Sequence, residues 1–336
     1  MILPETYLAT LLLSIFSMLC WGTWANAYKL TKKWRFELFY FDYAIGVALA
    51  GIAAALTFGS YGEGMTFLDN LDIAGKRQMG MAIVAGAIFN LANILLVAAI
   101  SLAGMAVAFP VGIGLALVIG VVVNYILKPA GNPMFVFGGV LLVMAAIVVD
   151  ALAYAHHAQT KGTHQKVGLK GLALSIGSGI LMGTFYPIVQ MSMESEIGLG
   201  PYTAGLLFSI GVLISTFVFN LYFMNLPVHG TPVPIGAYFQ GSSRNHLLGL
   251  IGGILWCAGA ITNFVAGSAS GPAQIGPAVS YGLGQGATMI SAFWGVFVWK
   301  EFAGATPKVR NMLILMFALF LTGLGLVSVA PLFVQK

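Results

Sequence analysis

Ten long runs of apolar residues divide the chain, and each is long enough to form a membrane-spanning helix. Such a helix needs about 20 mostly apolar residues to cross a hydrocarbon core of about 30 Å. The runs lie near residues 7–28, 40–58, 80–103, 105–127, 134–155, 169–191, 202–225, 247–267, 272–298 and 311–333. Strands of a transmembrane barrel would alternate polar and apolar residues, and residues 81–104 (MAIVAGAIFNLANILLVAAISLAG) do not. The pattern predicts an all-α integral membrane protein with ten transmembrane helices.

Composition agrees with a bilayer environment and excludes several other classes. Hydrophobic residues make up 59% of the chain and charged residues 7%, against about 25% charged in soluble domains. The first run follows Glu5 without a basic residue, so it is interpreted as a membrane helix and not as a cleavable signal peptide. Cys20 and Cys257 both fall in predicted helices, so we expect no metal site and no cofactor. The net charge of +5 is spread over loops without a dense patch, which argues against a nucleic-acid partner.

The basic residues separate into two unequal groups when loops are assigned to alternate sides of the membrane. One side carries eleven, namely Lys29, Lys32, Lys33, Arg35, Lys161, Lys166, Lys170, Arg244, Lys300, Lys308 and Arg310. The other side carries Lys76, Arg77, Lys128 and Lys336. The positive-inside rule assigns the richer side to the cytoplasm. We therefore expect a multi-pass protein of the cell (plasma or inner) membrane with both termini outside.

The chain also contains an internal repeat. Sliding it by 161 residues superimposes seven identical pairs: Leu11/Leu172, Leu13/Leu174, Ser14/Ser175, Ile15/Ile176, Ser17/Ser178, Gly22/Gly183 and Thr23/Thr184. "GIG" at 112–114 and "GLG" at 282–284 form a weaker match. The pattern predicts two five-helix repeats, residues 1–160 and 161–336. Because five is odd, the repeats have opposite orientations, an arrangement found in alternating-access transporters.

Two acidic residues fall inside the predicted helices. Asp42 is placed in the first turn of helix two, where the helix dipole favours a carboxylate; the alternative is that Asp42 carries a coupling proton. Asp150 is placed near the inner end of helix five and is interpreted as an interfacial anion. The histidines, at 156, 157, 164, 229 and 246, are assigned to loops.

Uncharged polar and aromatic residues in the predicted helices are the candidates for a substrate site, because polar groups at membrane depth need partners. Any single one, Asn124 and Asn220 included, can also be a tether between helices. The predicted substrate-binding residues are Thr23, Trp24, Asn26, Asn90, Asn93, Thr184, Tyr186, Gln190, Trp256, Asn263, Gln274, Tyr281, Gln285 and Trp294. Walls of amides and aromatic faces suit a small neutral solute such as a sugar or a flat amide ring.

Several segments resemble known transporters. "GTW" at 22–24, "FDYAIG" at 41–46, "LTFGSYG" at 56–62 and "MISAFWGVFVWKEF" at 289–302 resemble plant ureide permeases. Residues 89–120 and "GPAQ" at 271–274 are similar to the bacterial rhamnose-proton symporter. Both groups belong to the glucose/ribose-porter side of the drug/metabolite transporter superfamily. The resemblance implies ten helices in a five-plus-five inverted repeat and proton-coupled uptake of ureides, nucleobases or sugars.

The sequence thus leaves three functions to compare. The first is proton-coupled uptake of a small polar metabolite, with Asp42 as the proton carrier. The second is a multidrug or metabolite exporter of the same superfamily, which would need a buried acid in the substrate cavity, and the sequence indicates none. The third is an intramembrane enzyme, which the assignment of all histidines to loops makes remote, so that we expect no catalytic residue.

Overall fold

A computed structural model of the protein describes residues 1–31, 34–62, 64–162, 168–228 and 230–333. About 80% of the chain is helical, and the described ranges contain no strand. The helices are α1 (Tyr7–Thr23), α2 (Ala25–Lys29), α3 (Phe36–Leu56), α4 (Phe67–Ile73), α5 (Lys76–Ala103), α6 (Met105–Leu127), α7 (Pro133–Thr160), α8 (Leu169–Met193), α9 (Pro201–Asn225), α10 (Ser243–Ser268), α11 (Pro277–Gly284), α12 (Ala287–Phe293) and α13 (Pro307–Val329). The prediction of an all-α membrane protein is confirmed.

Nine helical segments in the described ranges are long and apolar enough to cross a membrane. They are Tyr7–Lys29, Phe36–Leu56, Lys76–Ala103, Val107–Leu127, Pro133–Thr160, Leu169–Met193, Pro201–Asn225, Ser243–Ser268 and Pro307–Phe333. Each coincides with one of the ten predicted runs. The remaining run, 272–298, is not the continuous helix that the sequence predicted.

That run is broken into short pieces. A 3-10 turn, Gly271–Ala273, precedes α11 and α12, and a π-helical turn, Trp294–Val298, follows them. Gly276 has a φ of 82° immediately before Pro277, a backbone conformation that ends regular helix and that glycine adopts without strain. Glycine also lowers helix propensity at Gly284 and Gly286, where α11 and α12 separate.

Helix starts elsewhere are fixed by side-chain caps. The side chain of Asn132 accepts a hydrogen bond from the Met134 N–H, with Pro133 in the first turn of α7. Ser242 caps α10 and Thr306 caps α13 in the same way. A serine, threonine or asparagine cap supplies an acceptor for one of the unpaired N–H groups of the first turn.

Contacts between loops define the two ends of the helix bundle. At one end Lys29 pairs with Glu301, and the Arg35 guanidinium donates to Thr231 O. At the other end the Met1 amino group donates to Met65 O. The Gly75 N–H donates to Ile197 O, and the Asn132 N–H donates to Ala330 O. Of the charged residues sorted by the sequence, Lys32, Lys33, Lys166 and Lys336 lie outside the described residues.

The repeated Gly-Thr-aromatic segments make equivalent contacts. A β-carbon added at Gly22 in α1 would lie 2.7 Å from Ala287 O and would meet Ile290 of α12. One added at Gly183 in α8 would lie 3.1 Å from the carbonyl oxygen of Ala116 and 2.7 Å from Cβ of Ile119, both in α6. Each glycine therefore lets its helix approach an Ala-x-x-Ile surface closely, which is how helices in lipid gain contact area.

Replacing Gly183 with alanine should destabilise the protein, because the added methyl group cannot fit unless α8 and α6 separate. Overpacking of this kind costs about 1–3 kcal/mol. Gly177→Ala on the same helix is the matched control, since no atom lies within 4 Å of its added β-carbon, and we expect it to be neutral or to stabilise by a few tenths of a kcal/mol. The melting temperatures of both purified variants in detergent test this. Equal melting temperatures would contradict the proposed tight contact.

Candidate functional site

A cavity of about 430 Å³ lies between the helices. Residues from α1, α2, α3, α5, α6 and α7 form one part of its wall, and residues from α8, α10, α12 and the segments before and after α12 form the rest. Residues from both predicted repeats therefore line it. Its volume is within the range of about 300–1,000 Å³ that small-molecule sites occupy.

Aromatic rings form the buried part of the cavity. The ring of Trp256, 5% exposed, stacks on Phe89 with centroids 4.0 Å apart and on Trp21 with centroids 5.9 Å apart. Phe185 contacts Phe89 edge to face at 5.3 Å. Trp24 contributes a further ring, 5.0 Å from that of Tyr43. These contacts give the cavity a rigid aromatic lining.

Amide and hydroxyl groups are placed around these rings. Asn26 donates to Thr23 O at 2.9 Å and accepts from the Trp299 indole N–H at 2.5 Å. Asn93 donates to the Tyr40 hydroxyl at 3.0 Å. Gln285, Thr288 and Ser291 line the wall at and after the break between α11 and α12. A helix break within a membrane protein commonly frees polar groups for a binding site.

A charged cluster marks the more exposed end of the cavity. Lys29 forms an ion pair with Glu301, and its ammonium lies 4.6 Å from the centre of the Trp299 ring. The Tyr154 hydroxyl donates to the second Glu301 oxygen at 2.6 Å. Burial acts to raise the pKa of the Glu301 carboxyl, but the hydrogen bonds from Lys29 and Tyr154 and the Lys29 charge outweigh it. The net result is a pKa lowered from the ordinary value.

Asp150 lines the same wall, one helical turn before Tyr154 on α7. Its Oδ1 oxygen is buried without a hydrogen-bond partner, and among the described residues it is the one carboxylate oxygen in that condition. The expectation that no acid would stand in the cavity is therefore wrong, because both Asp150 and Glu301 line it. The spacing of Asp150, Tyr154 and His157 at i, i+4 and i+7, which puts all three on one helix face, is the signal that could have identified this wall.

Five of the predicted substrate-binding residues line the cavity: Trp24, Asn26, Asn93, Trp256 and Gln285. Sequence reasoning missed the lining residues Trp21, Phe89, Tyr154 and Trp299, and it missed the polar pair Thr288 and Ser291. The missed aromatic residues look like ordinary apolar helix residues in the sequence. Their role depends on which way the helix faces, and hydropathy alone does not show that.

The other predicted residues lie elsewhere and mostly tether helices. The Asn90 side chain donates to Val212 O, Ser215 and Thr216 on α9. The Tyr186 hydroxyl donates to Asn263 O, Asn263 donates to Ser17 and to Ser280 O, and the Tyr281 hydroxyl donates to Met182 O. The remaining five, Thr23, Thr184, Gln190, Gln274 and Trp294, also lie outside the cavity lining. The Trp294 indole donates to the Thr23 hydroxyl, and the Thr184 hydroxyl donates to Leu181 O. Gln190 is buried in α8, and Gln274 lies in a separate depression beside Asn132.

The sequence predicted Asp42 in the first turn of its helix, and this prediction is wrong. The helix begins at Phe36, so Asp42 lies in the second turn and is 4% exposed. Its Oδ1 accepts from the Tyr238 hydroxyl at 2.6 Å, and its Oδ2 lies 2.8 Å from Nδ1 of His246. Burial and the neighbouring Asp42 carboxyl raise the pKa of the Tyr238 hydroxyl. Asp42 thus ties the 3-10 turn Ile235–Gln240 and α10 to α3.

The assignment of all histidines to loops is also wrong. His246 lies in the first turn of α10, and His156 and His157 lie in the last turns of α7, because both helices extend beyond the apolar runs that predicted them. His164 and His229 lie outside the described residues. Within the described ranges, no group of three or more His, Cys, Asp or Glu side chains is placed to hold a metal ion.

Comparisons with known proteins agree on one family. A family model described as "Ureide permease" matches residues 157–330, more than half of the chain. Ureide permease 1 of Arabidopsis thaliana is 22% identical over 93% of this chain and 94% of its own length. Ureide permease 2 of the same plant is 22% identical over 95% of each chain, and probable ureide permease A3 of Vigna unguiculata is 21% identical over 90% of this chain and 96% of its own. A crystal structure with 18% identity matches 99% of this chain and 100% of its own with a TM-score of 0.64, which supports the fold alone.

The Lys29–Glu301 pair should make stability depend on pH. Since the pKa of Glu301 is lowered in the folded state, its contribution is present above the ordinary carboxyl pKa and is lost as the pH falls through the folded-state value. We expect Glu301→Gln to lower the free energy of unfolding by about 0.2–1 kcal/mol at pH 7, as for a partly exposed ion pair, and by less at pH 4. Melting temperatures of Glu301→Gln, Lys29→Met and the double variant measure this. Additive losses in the double variant would show that the two side chains do not interact.

Proposed function

The chain belongs to the ureide permease family, and we propose that it is a proton-coupled secondary transporter for the uptake of a small neutral amide ring, such as a ureide or nucleobase. The resemblance to ureide permeases found in the sequence is confirmed, and the members it matches are transporters and not enzymes. The protein is thus a multi-pass membrane transporter with a small-molecule substrate. Its solute, direction and coupling ion are the subject of the proposal.

The observation that carries the proposal is the chemistry of the cavity wall. Tryptophan side chains that are only partly buried, Trp21, Trp24 and Trp299, line the cavity and can contact a flat solute on its face. Asn26, Asn93 and Gln285 offer amide groups to its edge. A ring that carries both N–H and C=O groups matches such a wall, because amides both donate and accept hydrogen bonds. A sugar is the alternative solute for the same cavity wall, since it also combines an apolar face with polar edges.

Helix contacts support the inverted five-plus-five repeat. With the segment 277–298 counted as the ninth crossing, α3 packs on α10 and α5 packs on α9, which are equivalent pairs under the repeat. The pair α5 and α8 likewise corresponds to α10 and α1, and α3–α9 and α7–α13 are each their own equivalents. The matching contacts of Gly22 and Gly183 add a residue-level correspondence. We therefore propose that residues 1–160 and 161–336 are the two repeats and that they alternate around the cavity.

The cavity opens at the end of the bundle that carries Lys29 and Glu301. The side chains of these two residues are 42% and 31% exposed, whereas the aromatic rings at the other end of the cavity are buried. The sequence assigns this end to the cytoplasm by its basic residues. We propose that the structure is in an inward-facing state of a cell-membrane protein with both termini outside.

The presence of Asp150 and Glu301 in the wall supports a second candidate function, the export of an organic cation. A carboxylate without a donor partner would attract such a solute. Because Glu301 is already paired with Lys29, only one acid is free for this purpose, and the neutral-solute proposal remains the better match to the rest of the wall.

A thermal-shift experiment separates these candidates. The purified protein in detergent is melted with allantoin, uracil, xanthine, a set of monosaccharides or tetraphenylphosphonium. A ligand at 100 times its dissociation constant stabilises the folded state by about 2.7 kcal/mol. Stabilisation by allantoin or a nucleobase supports the proposal, a sugar alone indicates the sugar reading, and tetraphenylphosphonium alone indicates export.

The site itself is tested by Gln285→Leu, which removes an amide from the cavity wall at little change in size. We expect the solute that stabilises the wild type to bind about tenfold more weakly, since its own polar edge then loses a partner. Gln78→Leu, at the start of α5 and outside the cavity lining, is the matched control and should bind normally. Equal affinities of all three proteins, measured by solute-dependent melting, would place the solute elsewhere.

A further inference from the structure

We propose that Asp150 is the proton-binding residue of this transporter, an inference that rests on the proposed proton-coupled uptake. The sequence predicted that role for Asp42. That prediction remains a proposal, and the experiment described below tests both residues. Two observations favour Asp150: it lines the cavity where the solute would bind, and its Oδ1 oxygen is buried without a donor.

The first argument is the cost of a charge at this position. Asp150 lies within the apolar run 134–155 that predicted α7, and its Oδ1 oxygen is enclosed by protein. A carboxylate oxygen that is buried in this way needs a hydrogen-bond donor or a counter-ion. A proton on Asp150 removes the charge and supplies a donor. An acid that can be neutral in one step of the cycle and charged in another is what proton coupling requires.

The second argument is the state of the neighbouring groups. Glu301 accepts hydrogen bonds from Lys29 and Tyr154, so the only cation of the cluster is already paired. On α7 itself, Tyr154 is engaged by Glu301 and His157 contacts Glu301 O at 3.1 Å. Asp150 is thus the one acidic group of the wall whose neighbours leave it without compensation.

Within the part of the chain that the structure describes, the helices packed against α7 supply no further partner. The titratable residue of α11, Tyr281, donates its hydroxyl to Met182 O. The titratable residue of α6 is Tyr125, whose hydroxyl donates to Gly131 O at the opposite end of the bundle. Those of α13 are Lys308 and Arg310, both in the first turn, with Arg310 donating to Ala305 O. Lys308 and Arg310 therefore lie at the end of the bundle and not beside Asp150 Oδ1.

Asp42 differs from Asp150 on each of these points. Both of its oxygens are engaged, by Tyr238 and His246, and it does not line the cavity. A proton is also a better match for Asp150 than a sodium ion, because a hard cation needs several oxygen ligands, whereas a proton needs one. Under this proposal Asp150 Oδ1 takes a proton from the outer solution and releases it to the cytoplasm together with the solute.

Transport in liposomes tests the proposal. Purified wild type, Asp150→Asn and Asp42→Asn are reconstituted with the membrane potential clamped at zero, and uptake of radiolabelled allantoin or uracil is driven by a one-unit pH gradient. One proton per solute gives about tenfold accumulation in the wild type. Asparagine mimics the protonated acid, so we expect Asp150→Asn to lose accumulation and solute-driven proton influx while it retains solute counterflow. The result for Asp42→Asn identifies any contribution from that residue.

Several results would overturn the inference. These are accumulation by Asp150→Asn at the wild-type level, loss of counterflow together with accumulation in that variant, or accumulation that follows a sodium gradient in the wild type. Absence of any transport by the wild type would instead count against the proposed function. A measurement without solute then still decides on Asp150: from pH 5 to pH 9 the melting temperature of the wild type should fall relative to that of Asp150→Asn. Parallel pH profiles would overturn the inference.

Discussion

Polar side chains at membrane depth must find their partners within the protein, and this constraint determines how the polar residues of the chain are used. Water is absent from the hydrocarbon region, so an unpaired amide or hydroxyl there costs several kcal/mol. The Asn90 amide donates hydrogen bonds to α9, and the hydroxyl groups of Tyr186 and Tyr281 donate to backbone carbonyl groups. The Asn90 tether joins the two predicted repeats, whereas the Tyr186–Asn263 and Tyr281–Met182 bonds lie within the second repeat. The amides of the cavity wall obey the same constraint, since Asn26 bonds to Thr23 and Trp299 and Asn93 bonds to Tyr40.

The break between α11 and α12 is the second source of that cavity. A regular helix would bond its backbone internally and present side chains at fixed angles, whereas the interruption places Gln285, Thr288 and Ser291 along one wall. Gly22 allows α1 to approach α12 so closely that a methyl group would not fit, and the Ser291 hydroxyl donates to Gly22 O. Glycine therefore provides the close helix contact beside the break, and the break provides the polar surface. The same association of a broken helix with a binding site is common in transporters.

Sequence reasoning succeeded where a property is carried by composition along a helix and failed where it depends on rotation about the helix axis. Apolar runs located nine segments to within a few residues. Asparagine in a membrane helix has the same appearance whether it is a tether, as Asn90 is, or part of the cavity, as Asn93 is, three residues later. Asp42 was placed too near its helix start because Glu37 interrupts the apolar run, although that carboxylate is satisfied by Arg35 and the helix continues through it.

Three carboxyl groups near the same end of the bundle differ in their hydrogen-bond partners, and this difference separates their roles. Asp42 has two partners and joins loop to helix, and Glu301 has Lys29 and Tyr154 and closes the wall beside the cavity. With Lys29 and Glu301 cancelling each other, the charge of the cavity is set by Asp150 alone. With Asp150 deprotonated, the cavity wall would carry one uncompensated negative charge, which is costly to enclose within the membrane. Under the proposed cycle protonation removes that cost, so a neutral solute and a proton would cross together more readily than the solute alone.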